Sequence, residues 1–369
     1  MVKRNILLNP GPATTTDSVK NALVVPDICP REKEFGDLMQ MIRRELVKIA
    51  GGNENYTSIL FAGSGTATMD SVISSAVPYN KKVLIIINGA YGIRFSEIAK
   101  TYNIEVVEVR FEFGKNIELD QIEKVLKKDR DIACIALTHH ETTVGILNPI
   151  TEIGKLSKKY NKIFIVDTIS SFAGVPIDIK ESNIDFMMST SNKCIQGIAG
   201  IAFVICKNAA LEKLKFIKPR SYYLDLYSQY EYLEKNNQTR FTPPVQIFYA
   251  LQQAIKEFFD EGAENRFNRY RENYQVLKEG LTKLGFKFLM GDDIRESNIL
   301  TTVYYINHPN FNFNTLHDKL YNRGFTIYPG KITTLDTFRI AVMGAIDKLD
   351  IKNFLKNLED VLKEMKVRI

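Results

Sequence analysis

The stretch YTSILFAGSGTATMDSVISSAV, residues 56–77, decides how this chain is read. Its first eight residues form an apolar, β-branched run closing on glycine, the pattern of a buried strand. After Gly63-Ser64-Gly65 the period changes, and Met69, Val72, Ile73 and Val77 fall on one helical face. The same alternation repeats downstream. KVLIIIN (82–88), IEVVEVRF (104–111), DIACIALTH (131–139) and KIFIVD (162–167) read as strands, and FSEIAKTY (95–102), LDQIEKVLKK (119–128) and ITEIGKLSKKY (150–160) as helices between them. Near-continuous apolar strands separated by amphipathic helices predict an α/β fold whose mostly parallel sheet is covered on both faces. GIAFVICK (200–207) is expected to close the sheet.

Past Pro219 the character changes. Residues 220–237 are rich in tyrosine and charge without a clear period, which predicts an irregular surface excursion. Helical patterns follow at 247–259 and 268–284, then short strands at 299–306, 325–330 and 337–342, and a last helix at 351–365. That mixture predicts a smaller α+β C-terminal domain with the N-terminus packed beside it. The expected division is a large domain of residues 15–255 and a small one of residues 1–14 and 256–369, consistent with a length of 369 residues.

Composition excludes several classes. Apolar residues at 45% and charged residues at 25% argue against long disorder, collagen and coiled coil. The 49 basic and 43 acidic residues leave a charge of +6, spread along the chain, so no nucleic-acid footprint is indicated. The longest apolar run, residues 198–206, is too short to span a bilayer, so no membrane partner is expected. The opening MVKRNILLNPGP breaks at Asn9-Pro10 before an apolar signal segment could form. Cys29, Cys134, Cys194 and Cys206 have neither metal-type spacing nor the density of a disulfide scaffold, and the expected location is the cytoplasm.

In an open parallel sheet the ligand sits beyond the carboxyl ends of the strands. AGSGTAT lies at such an end and opens a helix whose first amides, with the Ser64 and Thr66 hydroxyls, can hold a phosphate; a plain tight turn explains the glycines equally well. The stretch lacks both the dinucleotide fingerprint and the Gly-Lys-Ser/Thr of a nucleotide loop, which favours a small phosphate-bearing cofactor. Asp167 ends the apolar strand FIVD, and Lys193 ends the polar run STSNK. A lysine that forms an imine and a carboxylate at a pyridinium nitrogen are the pair that pyridoxal phosphate requires. His139, His140, Cys29 and Glu141 make no metal set, and the adjacent histidines should face opposite ways on a strand, which favours structural roles. Tyr222, Tyr223, Tyr227, Tyr230 and Tyr232 could stack bases, but Asp225, Glu231 and Glu234 interrupt them, so an interface or lid is the better reading.

With ILLNPGPATTT, AGSGTAT, HHETTVGILNPI, VDTISSFAGVPIDI, SNKCIQGIAG, LDLYSQY, RFTPPVQ and TFRIAVMG in view, the chain resembles the class V, fold-type-I pyridoxal-phosphate aminotransferases. Within them it is similar to the branch that acts on 2-aminoethylphosphonate and pyruvate. The resemblance runs from residue 6 to about residue 344, and SNKCIQG with HETTVGILNP is its most specific part. It implies a seven-stranded-type sheet, pyridoxal 5'-phosphate as cofactor, and a homodimer with active sites shared between subunits. It further implies that Lys193 carries the cofactor, that Asp167 meets the pyridine nitrogen, and that Ser64, Gly65 and Thr66 cradle the phosphate. Tyr91 would stack on the ring, Thr142 would meet its phenolic oxygen, and Thr242 would reach across from a second subunit. Arg339 would bind the substrate anion, with Arg31, Arg94 and Arg323 as candidates for further donors. Ala341 stands where the family's arginine motif has glycine. An alanine–glyoxylate or serine–pyruvate aminotransferase of the same class is the alternative activity.

Overall fold

Seven apolar runs lie side by side in one sheet of the structure, a computed structural model that describes residues 5–291, 295–330, 332 and 335–367. Residues 1–4 of the expected small domain lie outside the described residues. The strands are β1 (Tyr56–Gly63), β2 (Lys82–Ile87), β3 (Glu105–Arg110), β4 (Ile132–Thr138), β5 (Ile163–Asp167), β6 (Phe186–Thr190) and β7 (Gly200–Lys207). Their spatial order is β1-β7-β6-β5-β4-β2-β3. The pairs from β6 to β3 are parallel, and β7 runs antiparallel to both of its neighbours.

Burial on both faces explains why the strands read as continuous apolar runs. In β2, Val83, Ile85 and Ile87 pack into one core while Leu84 and Ile86 pack into another on the opposite face. The first core takes Met69, Val72 and Ile73 from α2 (Gly65–Ala76), the helix that follows β1, and Phe95 from α3 (Ala90–Thr101), which follows β2. The second takes Phe35, Met39 and Leu46 from α1 (Lys33–Ile49), and Phe248 and Leu251 from α4 (Val245–Glu261).

Three expectations are corrected. β6 is a strand that the sequence pattern does not mark: all five of its residues are buried, but it is short and ends Ser-Thr, so it merges with the polar run that follows. β7 does not close the sheet; it is inserted between β1 and β6, and the edges are β1 and β3. The excursion at 220–237 contains a helix, Leu226–Asn236, capped by the Asp225 side chain accepting from the Ser228 amide. Its buried face is Leu226, Gln229 and Leu233. Gln229 hid the apolar period, and it is satisfied there by donating to the Leu60 carbonyl at 2.8 Å.

The C-terminal part packs α5 (Ala263–Lys283) and α6 (Lys348–Glu364) against a small antiparallel sheet of β8 (Leu300–Tyr304), β9 (Tyr328–Pro329) and β10 (Thr337–Ala341), in the order β8-β10-β9. Ile6–Leu7 pairs in parallel with Phe325–Thr326, so the N-terminus does pack beside it. Among the described residues no helix is long and apolar enough to cross a membrane.

Candidate active site

At the carboxyl ends of the strands a cavity of about 440 Å³ opens between the start of α2, the start of α3 and the ends of β4 to β6. Ser64, Gly65 and Thr66 form one side of it, and Asp167 and Lys193 another. Tyr91 and Thr142 complete the set of expected residues that meet there. A larger hollow of about 1090 Å³ lies beyond His139, but neither Lys193 nor Asp167 reaches it, so size alone does not identify the site.

The helix start behaves as an anion cradle should. Ser64 is extended and its side chain caps nothing, while the first amides of any helix lack intrahelical partners. Gly65 is required for close approach: a Cβ there would stand 2.7 Å from the Ile169 side chain. Arg94 donates to the Thr66 hydroxyl at 3.2 Å, and its guanidinium lies 4.8 Å from the Tyr91 ring centroid. Of the three extra arginines, only Arg94 lines this cavity. Arg31 is bonded to Gln238 and the Thr239 carbonyl, and Arg323 to Glu364 and the Asn357 carbonyl.

Lys193 follows β6 and donates its Nζ to the Pro10 carbonyl. The backbone of Gly11 passes so close that a Cβ there would lie 2.1 Å from Nζ and force the lysine to shift, and Gly11 has a φ of +123°, a conformation that favours glycine at this crossing. Asp167 is buried, and its Oδ1 accepts from the Ile169 amide at 2.8 Å. Burial pushes this carboxyl up to about 7; the negative charge of Glu141 adds to the shift, while Arg94 and Lys193 oppose it. A cationic ring N–H would supply the compensating charge that the protein alone does not.

Glu141 belongs to no metal set among the described residues, yet it organises one wall. Its carboxylate accepts from the Tyr91 amide at 3.0 Å and from the Thr143 amide and hydroxyl at 3.0 and 2.6 Å. A Cβ on Gly89 would come within 2.2 Å of it, so glycine makes room for this contact. The adjacent histidines do face opposite ways. His139 Nδ1 lies 2.9 Å from the Ser171 hydroxyl, whereas His140 points into the cavity. Burial pulls their pKa values down to about 4 and about 3.

Arg339 on β10 is buried, donating from Nε to the Pro329 carbonyl and from a terminal nitrogen to the Thr142 carbonyl, each at 3.2 Å. It stands behind Thr142 and does not itself line the cavity. Thr242 is exposed and lies off the cavity. Sequence reasoning missed Glu141 and His140 as site residues, although both belong to HHETT; the spacing of Arg94 three residues after Tyr91 on a helix was the available signal for that side chain. The under-partnered helix start, the buried carboxyl and the unpaired imidazole of His140 fit a phosphorylated, aromatic, cationic-ring cofactor.

Comparison with known proteins agrees. The aminotransferase class-V family model matches residues 18–345. A 2-aminoethylphosphonate–pyruvate transaminase of Lysinibacillus sphaericus is 41% identical over 358 residues, 96% of this chain and 97% of that protein. One from Bacillus cytotoxicus is 44% identical over 349 residues, covering 94% of each. A bifunctional phosphonoacetaldehyde hydrolase/aminoethylphosphonate transaminase of Clostridioides difficile is 43% identical over 97% of this chain, which spans only 56% of that longer protein. Among solved structures, an alanine–glyoxylate aminotransferase of Nostoc superposes with a TM-score of 0.90 at 27% identity, over 98% of this chain and 96% of that one. A ureidoglycine–glyoxylate aminotransferase of Bacillus subtilis gives 0.91 at 24% identity, over 100% and 95%, which speaks for the fold alone. The cofactor of such a site is pyridoxal 5'-phosphate, the fold is that of the fold-type-I enzymes, and the chain belongs to the class V aminotransferases.

Proposed function

We propose that this chain moves an amino group reversibly between 2-aminoethylphosphonate and pyruvate, giving phosphonoacetaldehyde and L-alanine. The observation that carries the reading is the meeting of Lys193, Asp167 and the Ser64–Thr66 helix start on one cavity, in a chain whose relatives of matching length bear that activity in their names. Bound pyridoxal phosphate supplies an electron sink for the carbon that loses its proton. In this reading Lys193 holds the cofactor and, once displaced by the substrate amine, takes the proton from the aminated carbon and returns it. Asp167 keeps the ring nitrogen protonated. Ser64, Gly65 and Thr66 hold the phosphate, Tyr91 covers one ring face, and Thr142 meets the phenolic oxygen.

Arg339 is the proposed anion-binding residue, because a planar fork pairs with a carboxylate or a phosphonate equally well. Its ties to Pro329 and Thr142 support this by fixing the guanidinium next to the cavity wall. Arg94 is a second cation at the same cavity. Arg339→Lys is expected to raise KM for both substrates by about tenfold while changing kcat less; equal falls in kcat with unmoved KM would remove the arginine from substrate binding.

The unit that works is proposed to be a homodimer, with Thr242 serving the neighbouring subunit's site. Support comes from the exposure of Thr242 and of Tyr222, which is 79% exposed beside it in the tyrosine-rich segment. Four free cysteines, three of them buried, accord with a reducing cytoplasm. The division into domains at residues 14/15 and 255/256 is retained as part of the same reading.

The deciding experiment is the absorption spectrum of the loaded protein before and after adding 2-aminoethylphosphonate, with alanine in parallel. The yellow band is expected to bleach with both. Bleaching by alanine alone, with turnover on glyoxylate, would transfer the assignment to the alanine–glyoxylate activity.

A further inference from the structure

His140 is 1% exposed, lines the cavity, and has no hydrogen-bond partner at either ring nitrogen. Buried polar side chains are nearly always paired, so an imidazole left unpaired and aimed into a cavity points to a ligand atom that completes it. The backbone makes this position deliberate. His140–Glu141 is a short strand paired antiparallel with Ile146–Leu147, with His140 opposite Leu147. The Ser170 hydroxyl fastens it further by donating to the His140 carbonyl at 3.0 Å. Two residues on, Thr142 lines the same cavity, while Glu141 between them is turned away to the Tyr91 amide.

Burial, with Lys193 and His139 nearby, keeps the ring neutral, with one N–H and one lone pair. The Ser170 backbone works against this pull by favouring the protonated ring, yet neither ring nitrogen has a hydrogen-bond partner of good geometry. The charged and titratable groups around the ring are Lys193, Asp167, Arg94 and Tyr91 on the cavity wall, Arg339 behind Thr142, and the chain neighbours His139 and Glu141. Asp167, Thr142 and His140 line one cavity, so a ligand held there can offer an acceptor to the imidazole, and the phenolic oxygen of pyridoxal phosphate is an acceptor of that kind.

We propose that His140 contacts the cofactor, donating a ring N–H to its phenolic oxygen beside Thr142 and so lowering the pH at which the Lys193-linked imine loses its proton. The inference rests on the pyridoxal reading of the cavity. A donor to that oxygen stabilises the phenolate most when the imine proton is gone, so removing the donor favours the protonated, yellow form.

The test is a pH titration of the yellow band in loaded wild-type, His140→Leu and His140→Asn proteins without substrate. The leucine variant is expected to raise the midpoint by about one pH unit and to weaken cofactor binding about fivefold, with asparagine, which retains a donor, restoring part of both. A leucine variant with a lowered melting temperature but an unmoved midpoint would overturn the proposal, since that is what a purely structural histidine produces. Should leucine prevent folding, His140→Ala removes the donor with less bulk and is read the same way. A wild-type protein that forms no yellow band overturns this inference and the cofactor reading together, whereas a yellow protein indifferent to residue 140 overturns this inference alone.

Discussion

Lys193→Ala is expected to lower turnover by about 10⁴-fold or more, because one nitrogen serves both as the cofactor's anchor and as the proton carrier. Among the described residues no other lysine lines the cavity. Arg94 cannot accept a proton, and His140, drawn down to about 3, is too weak a base to replace an amine. Geometry points the same way: Lys193 lines the cavity and donates its Nζ to the Pro10 carbonyl, beside the close-passing backbone of Gly11. The measurement is a steady-state assay over many turnovers, with a small primary amine added in a parallel sample. Partial rescue by the amine would identify the lost step as proton transfer. Undiminished multiple turnover in the variant would end the assignment of Lys193.

The second large effect concerns Asp167. Asp167→Asn removes the negative charge facing the ring nitrogen and is expected to lower kcat by about 10²–10³-fold, the size of losing one preorganised electrostatic contact. It also changes how stability depends on pH in the cofactor-free protein. The folded carboxyl titrates near 7 against an ordinary value of 3.8. Between those values the native state holds a proton that the unfolded chain has released, so stability falls as pH rises through that window. His139 and His140 act in the opposite sense: their pKa values are depressed from 6.5 to about 4 and about 3, so the stability they confer is present above 6.5 and lost as pH falls. Comparing wild type with Asp167→Asn isolates the carboxyl. Raising pH from about 4 to about 7 should lower the wild-type melting temperature relative to the variant. Parallel curves would mean that burial does not perturb Asp167.

Much of the architecture was legible because its causes are local. Leu84 and Ile86 face one core and Val83, Ile85 and Ile87 the other, so the strand shows itself as an unbroken apolar run with no knowledge of its neighbours. The amphipathic run Leu119–Lys128 is likewise a helix over the whole of the stretch that its pattern marked. Where a buried position is filled by a polar residue the signal fails, as at Gln229 in Leu226–Asn236 and at Ser189 and Thr190 in β6.

Strand order is a different kind of information. β7 carries the same apolar run whether it sits at an edge or between β1 and β6, because the pattern reports that both faces are buried and says nothing of which strands flank it. The site divides in the same way. The types of Ser64, Gly65, Asp167 and Lys193 were determined by the sequence alone: Ser64 and Gly65 stand where an apolar strand gives way to a helix, Asp167 ends an apolar strand, and Lys193 ends a polar run before the next one. Only the tertiary structure decided that Pro10 and Gly11 close over a lysine 183 residues away, that Glu141 holds the Tyr91 amide, and that of two adjacent histidines it is His140 that enters the cavity. Local periodicity records what each residue buries, whereas these contacts come from the packing of elements far apart in the chain, which periodicity does not encode.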